Sequence, residues 1–364
     1  MEDNAEKIPK KESRRNLRII YILATVIVIA LIALIDPNFK DIFTVMPTLN
    51  FKWIIGAIVL LLIFWLTEGI LLQQITSYVH DKKVKFRSSI KVGIIGLYYG
   101  ALTPFATGGQ PLQVIYMKRN DIPVGTGTCI VCLKFIMYEL ALCTMAIVGL
   151  SIFGSELYAA TVELFWFTIL GVFINFASLV FVFLTLIHKT FATKLVIGIV
   201  KFLAKIRIIK KTESKIESIK KTMDDYVDAA QYIKNNLLKV AVTYLLTIVD
   251  LILLFSIPYM IYLAFGHSEA PITTFVATET FHYLAIAFFP MPGAAGASEG
   301  GFYLFFYSLF TKVPVFLPMI IWRFLTYYLI LFVGSLLVVF DELLIMRKMK
   351  KQGEIDNSIG NKKT

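Results

Sequence analysis

Apolar runs long enough to cross a hydrocarbon core recur along this sequence, and they leave few folds open to it. A helix rises 1.5 Å per residue, so about 20 apolar residues span a core of about 30 Å. The runs at 17–35, 51–79, 123–153, 164–187, 240–265 and 314–345 approach or exceed that length. With 57% hydrophobic and 17% charged residues, the remaining sequence leaves no room for a sizeable water-soluble catalytic domain. The run at 17–35 follows a basic segment and lacks a small-residue cleavage site, which predicts a retained helix and not a signal peptide.

Two stretches break the pattern. Thr103-Pro104-Phe105-Ala106-Thr107-Gly108-Gly109-Gln110-Pro111-Leu112-Gln113 and Pro290-Met291-Pro292-Gly293-Ala294-Ala295-Gly296-Ala297-Ser298-Glu299-Gly300-Gly301 both lie within apolar sequence. Unpaired backbone groups in hydrocarbon cost several kcal/mol each, so irregular chain at membrane depth persists only where protein or a wet cavity covers it. The segments flanking each break are too short to cross. Each break therefore reads as the tip of a re-entrant helical hairpin, and a pair of such breaks in the two halves of a chain points to a transporter's binding site.

Charge sets the expected orientation. The net charge of +11 resides mostly between the apolar runs, as in cytoplasmic loops, which makes nucleic-acid binding unnecessary. Residues 1–16 form an expected basic cytoplasmic tail, 17–346 the transmembrane domain, and 347–364 a second cytoplasmic tail. Basic residues 80–87 and Lys118-Arg119 place the first hairpin on the cytoplasmic side, whereas 154–163 and 266–271 carry no Lys or Arg and read as external. The predicted fold is thus an all-α polytopic membrane protein with six full spans and two oppositely oriented hairpins, an inverted-repeat transporter-like arrangement. Within 188–239, Ile216, Ile219, Met223, Tyr226, Ala230 and Ile233 form an amphipathic stripe, which fits a cytoplasmic linker lying on the bundle or a partner-binding helix.

Ionisable residues at membrane depth are few: Glu68, Lys134, Glu139, Asp250, Glu279, His282, Glu299 and Arg323. Each costs about 2.5–3.5 kcal/mol on insertion scales and asks for a partner or a wet cavity. Glu299 stands where the second break resumes as a helix. It either caps the new helix or pairs with Arg323 in a contact that an anionic headgroup can open. Gly293 and Gly296, with Gly108 and Gly109, allow close backbone approach to such a headgroup. Thr103, Gln110 and Gln113 offer hydrogen bonds either to a headgroup or to the hairpin's own carbonyls. Lys134 is a further candidate headgroup contact. Glu139, Glu279 and His282 are candidates for gating or a proton relay, His282 being equally readable as a satisfied buried histidine. Cys129, Cys132 and Cys143 read as small buried hydrophobes, and no cofactor, metal cluster or catalytic constellation stands out.

At its two broken motifs the chain resembles the lysylphosphatidylglycerol synthase transmembrane region, or flippase-like domain family, and the likeness extends over nearly all of residues 15–348. Ala294 and Ala295 depart from it, standing where family members often show a further Gly and a bulky residue. In bifunctional members a soluble acyltransferase domain attaches lysine to phosphatidylglycerol using charged transfer RNA, and the membrane part moves the product between leaflets. This chain stops soon after its last apolar run, so the resemblance implies the lipid-handling half alone. The expectation is a bacterial inner-membrane protein, with both termini cytoplasmic, that moves a membrane phospholipid with a polar or anionic headgroup. It could work beside a separate lipid-modifying enzyme or as a homo-oligomer. The alternatives are a phosphatidylglycerol lysyltransferase and a small-solute permease.

Overall fold

A computed structural model describes residues 49–79, 84–205, 222–226, 228–230, 236–311, 313–341 and 343–344. The expected first span, both tails and much of the 188–239 linker lie outside the described residues. Among the described residues the regular structure is helical throughout. The helices are α1 (Phe51–Val79), α2 (Phe86–Ala101), α3 (Gly109–Lys118), α4 (Val124–Ala160), α5 (Val162–Ile187), α6 (Lys189–Lys205), α7 (Leu237–Phe255), α8 (Ile257–Ala264), α9 (Ile272–Ile286), α10 (Ala297–Phe306) and α11 (Phe316–Asp341). Among the described residues five segments are long and apolar enough to cross a membrane: α1, α4, α5, α7 with α8, and α11. These coincide with five of the six expected spans. Their outer faces carry exposed Trp166, Phe173, Leu245 and Phe332, as lipid contact requires.

Two boundaries and one helix interior differ from the sequence expectation. The loop expected at 154–163 is helical to Ala160, because nothing in it stops a helix, and Thr161 alone turns the chain. The span expected as continuous at 240–265 divides at Ser256, where Pro258 in the first turn of α8 lacks the N–H that would bond back into α7. In α11 a π-helical turn occupies Phe324–Tyr328, directly after Arg323, and single π turns inside α-helices gather at functional positions.

The two hairpins, α2–α3 and α9–α10, reach the bundle from opposite ends. The core around the first contains Leu72, Ile75 and Val79 from the C-terminal half of α1, with Ile130 and Leu133 of α4. The core around the second contains Ala57, Leu61 and Phe64 from the N-terminal half of α1 and a dense aromatic group, Phe275, Phe281, Phe302, Phe306 and Trp322. Between the cores the hairpin tips lie against each other. Small residues permit the closest helix contacts. A Cβ on Gly96 of α2 would stand 2.1 Å from the Gln113 amide on α3, and one on Gly109 would stand 2.6 Å from the Gly96 carbonyl. Within the linker, Met223, Tyr226 and Ala229 are buried against the core of the first hairpin, and Gly125 at the start of α4 lets the Thr222 backbone approach.

Candidate functional site

The two tips share one backbone design. Thr103 (φ −122°, ψ 145°) and Met291 (φ −119°, ψ 147°) are extended, each is followed by proline, and then Phe105 (φ 53°, ψ 22°) and Gly293 (φ 58°, ψ 23°) turn left-handed. Ala106 and Ala294 follow at φ 54° and 48°. The hydrogen bonds repeat as well: Ala106 N–H donates to Thr103 O and Ala294 N–H to Met291 O, at 3.1 and 2.9 Å. Thr107 and Ala295 N–H then donate to the proline carbonyls, both at 3.2 Å. Three non-glycine residues thus sit in a region that costs each roughly 1–2 kcal/mol, a strain held in place by the surrounding packing.

The first tip satisfies itself. Thr103 Oγ1 donates to Tyr99 O and accepts the Gly108 N–H, both at 2.8 Å. Gln113 is buried with its amide directed at Val92 O, 3.4 Å away, and Gly109 serves the contact with Gly96. Gln110 lies half-buried in the first turn of α3, while Phe105 is 54% exposed at the tip.

The second tip is built on charge. Glu299 is fully buried, and its Oε2 accepts the Gly296 N–H at 2.7 Å, so the carboxylate does cap α10. Its Oε1 lies 2.7 Å from Arg323 Nε, so the same carboxylate is also half of an ion pair. Arg323 spends further donors on the tip, Nη1 to Ser298 Oγ at 3.0 Å and Nη2 to Gly293 O at 2.8 Å, and its guanidinium stacks 4.0 Å over Tyr327. Tyr327 in turn packs on Gly293, where a Cβ would stand 2.1 Å from the ring, and its hydroxyl donates to Ala101 O of the first hairpin at 3.3 Å. Arg323 and Tyr327 on α11 therefore join the two hairpins. Gly296, at φ 87°, makes the sharp turn into α10 that only glycine adopts readily.

Below this tip, His282 Nε2 stands 3.0 Å from Ser298 O and Nδ1 stands 3.2 Å from Glu279 Oε2. A carbonyl only accepts, so Nε2 carries hydrogen, and a proton must also lie between Nδ1 and Glu279.

A second polar centre lies where α1, α4 and α7 meet. Lys134 is paired with Glu68, and Thr67 contacts Asp250. Tyr138 donates to Tyr283 at 2.7 Å, linking α4 to α9. Glu139 is buried nearby, and among the described residues its Oε2 has no hydrogen-bond partner. Glu68 and Asp250 belong to the intramembrane set visible in sequence, but no spacing rule ties residues this distant along the chain to Lys134. Among the described residues no three His, Cys, Asp or Glu side chains are arranged to hold a metal. The three cysteines are free thiols, Cys129 and Cys143 buried.

Fold and site together define a polytopic helical membrane protein whose two broken hairpins meet tip to tip beside buried, paired charges. Within that class the chain belongs to the family described as the lysylphosphatidylglycerol synthase TM region, whose sequence profile matches residues 21–334. It is also 24% identical over 299 residues to a protein of Archaeoglobus fulgidus described as a UPF0104 membrane protein, a match covering 81% of this chain and 88% of the relative.

Proposed function

We propose that this protein moves a lipid with a polar or anionic headgroup between membrane leaflets, the headgroup resting where the two tips meet. The observation that carries this reading is the buried Glu299–Arg323 pair at the second tip. A phosphate-bearing headgroup can take the place of the carboxylate beside Arg323, whose planar guanidinium suits such oxyanions. Burying this pair in hydrocarbon for stability alone is a poor solution, since apolar packing of equal volume is commonly as good or better. The family membership supports the same reading, because the family is that of the lysylphosphatidylglycerol synthase TM region, the membrane part of a synthase whose product is a lipid. Gly300, with open space where a Cβ would lie, leaves room for a headgroup at the backbone.

The test uses proteoliposomes of phosphatidylethanolamine and phosphatidylglycerol carrying labelled phosphatidylglycerol. Protein-dependent transfer between leaflets, reduced at least tenfold in Arg323→Ala, is the expected result. Transfer in the variant equal to that of the wild type removes the pair from the mechanism, and no transfer by the wild type removes the proposal.

A further inference from the structure

The polar centre between α1, α4 and α7 stands apart from the tips and has one cation for two carboxylates. Lys134 is committed to Glu68. Asp250 is fully buried; among the described residues its Oδ1 hydrogen-bonds to the Thr67 hydroxyl alone, and its Oδ2 has no hydrogen-bond partner. Thr67 has a single hydrogen, yet its Oγ1 also lies 2.9 Å from both Ile63 O and Phe64 O. If Asp250 were ionised, that one hydrogen would supply its single hydrogen bond among the described residues, with the Lys134 ammonium held against Glu68 instead, an unfavourable state at membrane depth. If Asp250 carries a proton, it donates to Thr67 Oγ1, Thr67 donates to its own helix carbonyls, and every hydrogen has a place.

Glu68 of α1 is within electrostatic reach of Asp250, and Tyr138 of α4 and Tyr283 of α9 are within reach of Glu68. Glu139 and Glu279 lie one step further out, near Tyr283. Lys134 is within electrostatic reach of Asp250 as well as of Glu68. Its side chain is 17% exposed, against 4% for Glu68, so protein encloses it less tightly than its partner.

We propose that Asp250 and Glu68 form a proton-binding site in which Lys134 alternates between the two carboxylates, and that this site couples lipid movement to a proton gradient. In the state seen here the proton is on Asp250 and the ammonium on Glu68. When Lys134 crosses to Asp250, that proton is released to water, and Glu68, now without its cation, takes one up. The centre keeps one proton and one ammonium throughout, so neither state buries net charge. The coupling half of the proposal rests on the lipid-transport reading above, whereas the proton site does not.

Infrared spectroscopy of the full chain in detergent reads the site directly through the carboxylic-acid C=O band. In the wild-type-minus-variant difference at neutral pH, Asp250→Asn should lose one protonated carboxyl, while any band from Glu139 cancels. Glu68→Gln should lose the same band, because Lys134 is then free to hold Asp250 ionised. Lys134→Met should gain one, since both acids must then be neutral. An unchanged band in Glu68→Gln overturns the proposal even if Asp250→Asn fails to fold. In the proteoliposomes described above, an imposed pH gradient should raise the wild-type transfer rate several-fold and leave Asp250→Asn without that response. A wild-type rate indifferent to the gradient overturns the coupling. If wild type moves no lipid at any pH, the transport reading fails, and the band alone decides the proton site.

Discussion

Glu299 performs two tasks that substitutions can separate. As an N-terminal cap its loss to alanine is worth about 1 kcal/mol. As half of a buried ion pair, its removal leaves Arg323 uncompensated, at about 3–5 kcal/mol. Glutamine at 299 can still accept the Gly296 N–H but cannot balance the guanidinium, so Glu299→Gln should cost about 3–5 kcal/mol and Glu299→Ala about 4–6. Arg323→Met strands the carboxylate and should cost a similar 3–5 kcal/mol, plus about 1 for each of its bonds to Ser298 and the Gly293 carbonyl. The double variant Glu299→Gln, Arg323→Met removes both charges and retains the cap. Only the lost hydrogen bonds then remain, so its cost should fall to about 2 kcal/mol, below that of either single change. Equilibrium unfolding in mixed micelles, followed by tryptophan fluorescence, measures all four. Trp322 is well placed to report, being buried and stacked on Phe302 with ring centroids 4.9 Å apart. If the double variant loses the sum of the single losses, the residues are energetically independent and the pair is not the unit on which the proposed headgroup exchange depends.

Two further outcomes follow from the tips and the hairpin orientation. Gly293→Ala places a Cβ at φ 58° and 2.1 Å from Tyr327, so it should lower stability by about 2–5 kcal/mol, combining left-handed strain with overpacking. Adding Tyr327→Ala should recover the packing part, read by the same unfolding assay, and no recovery refutes the contact. Single-cysteine labelling from the two sides of intact vesicles should place Lys118, at the end of the first hairpin, and Ser268, before the second, on opposite faces; labelling from one side refutes opposed hairpins.

Much of this arrangement is legible in sequence because it rests on residues that leave the backbone no choice. The prolines at 104 and 292, with the glycines after them, end helices wherever they fall, so the broken stretches and the short flanking helices follow directly. Pro258 carries the same signal, and the division of α7 from α8 was equally readable. The likeness of the tips is visible only faintly, as Thr-Pro-Phe-Ala against Met-Pro-Gly-Ala, two shared residues of four. Its substance is a run of left-handed backbone that Phe105, Ala106 and Ala294 adopt against their own preference. Packing imposes that conformation, and no local propensity announces it. Arg323 as partner of Glu299 is among the sequence expectations, but the partners of the buried charges on α1, α4 and α7 are hidden for a related reason. Glu68 meets Lys134 and Thr67 meets Asp250 through the crossing of α1, α4 and α7, and crossings depend on small-residue contacts that sequence periodicity does not resolve.

Helix α9 decides whether the two polar centres can act separately. Its Tyr283 accepts from Tyr138 on α4, within electrostatic reach of Glu68 and Glu139, and its adjacent His282 donates to the Ser298 carbonyl beside Glu299. The His282 ring also packs against Gly301 of α10, where a Cβ would come within 2.8 Å. Moving the second tip away from Arg323 must therefore either break the His282–Ser298 bond or carry α9 with it. Breaking it leaves a buried imidazole N–H and a buried carbonyl unpaired, at about 1–3 kcal/mol each. Carrying α9 along keeps that bond but shifts the helix against α4 and α5, where the Phe281 ring lies on Gly149 and the Leu284 carbonyl on Gly171. That route also displaces the Tyr138–Tyr283 hydrogen bond. Each polar centre thus has a hydrogen bond to α9, and opening at the tip strains this helix by either route.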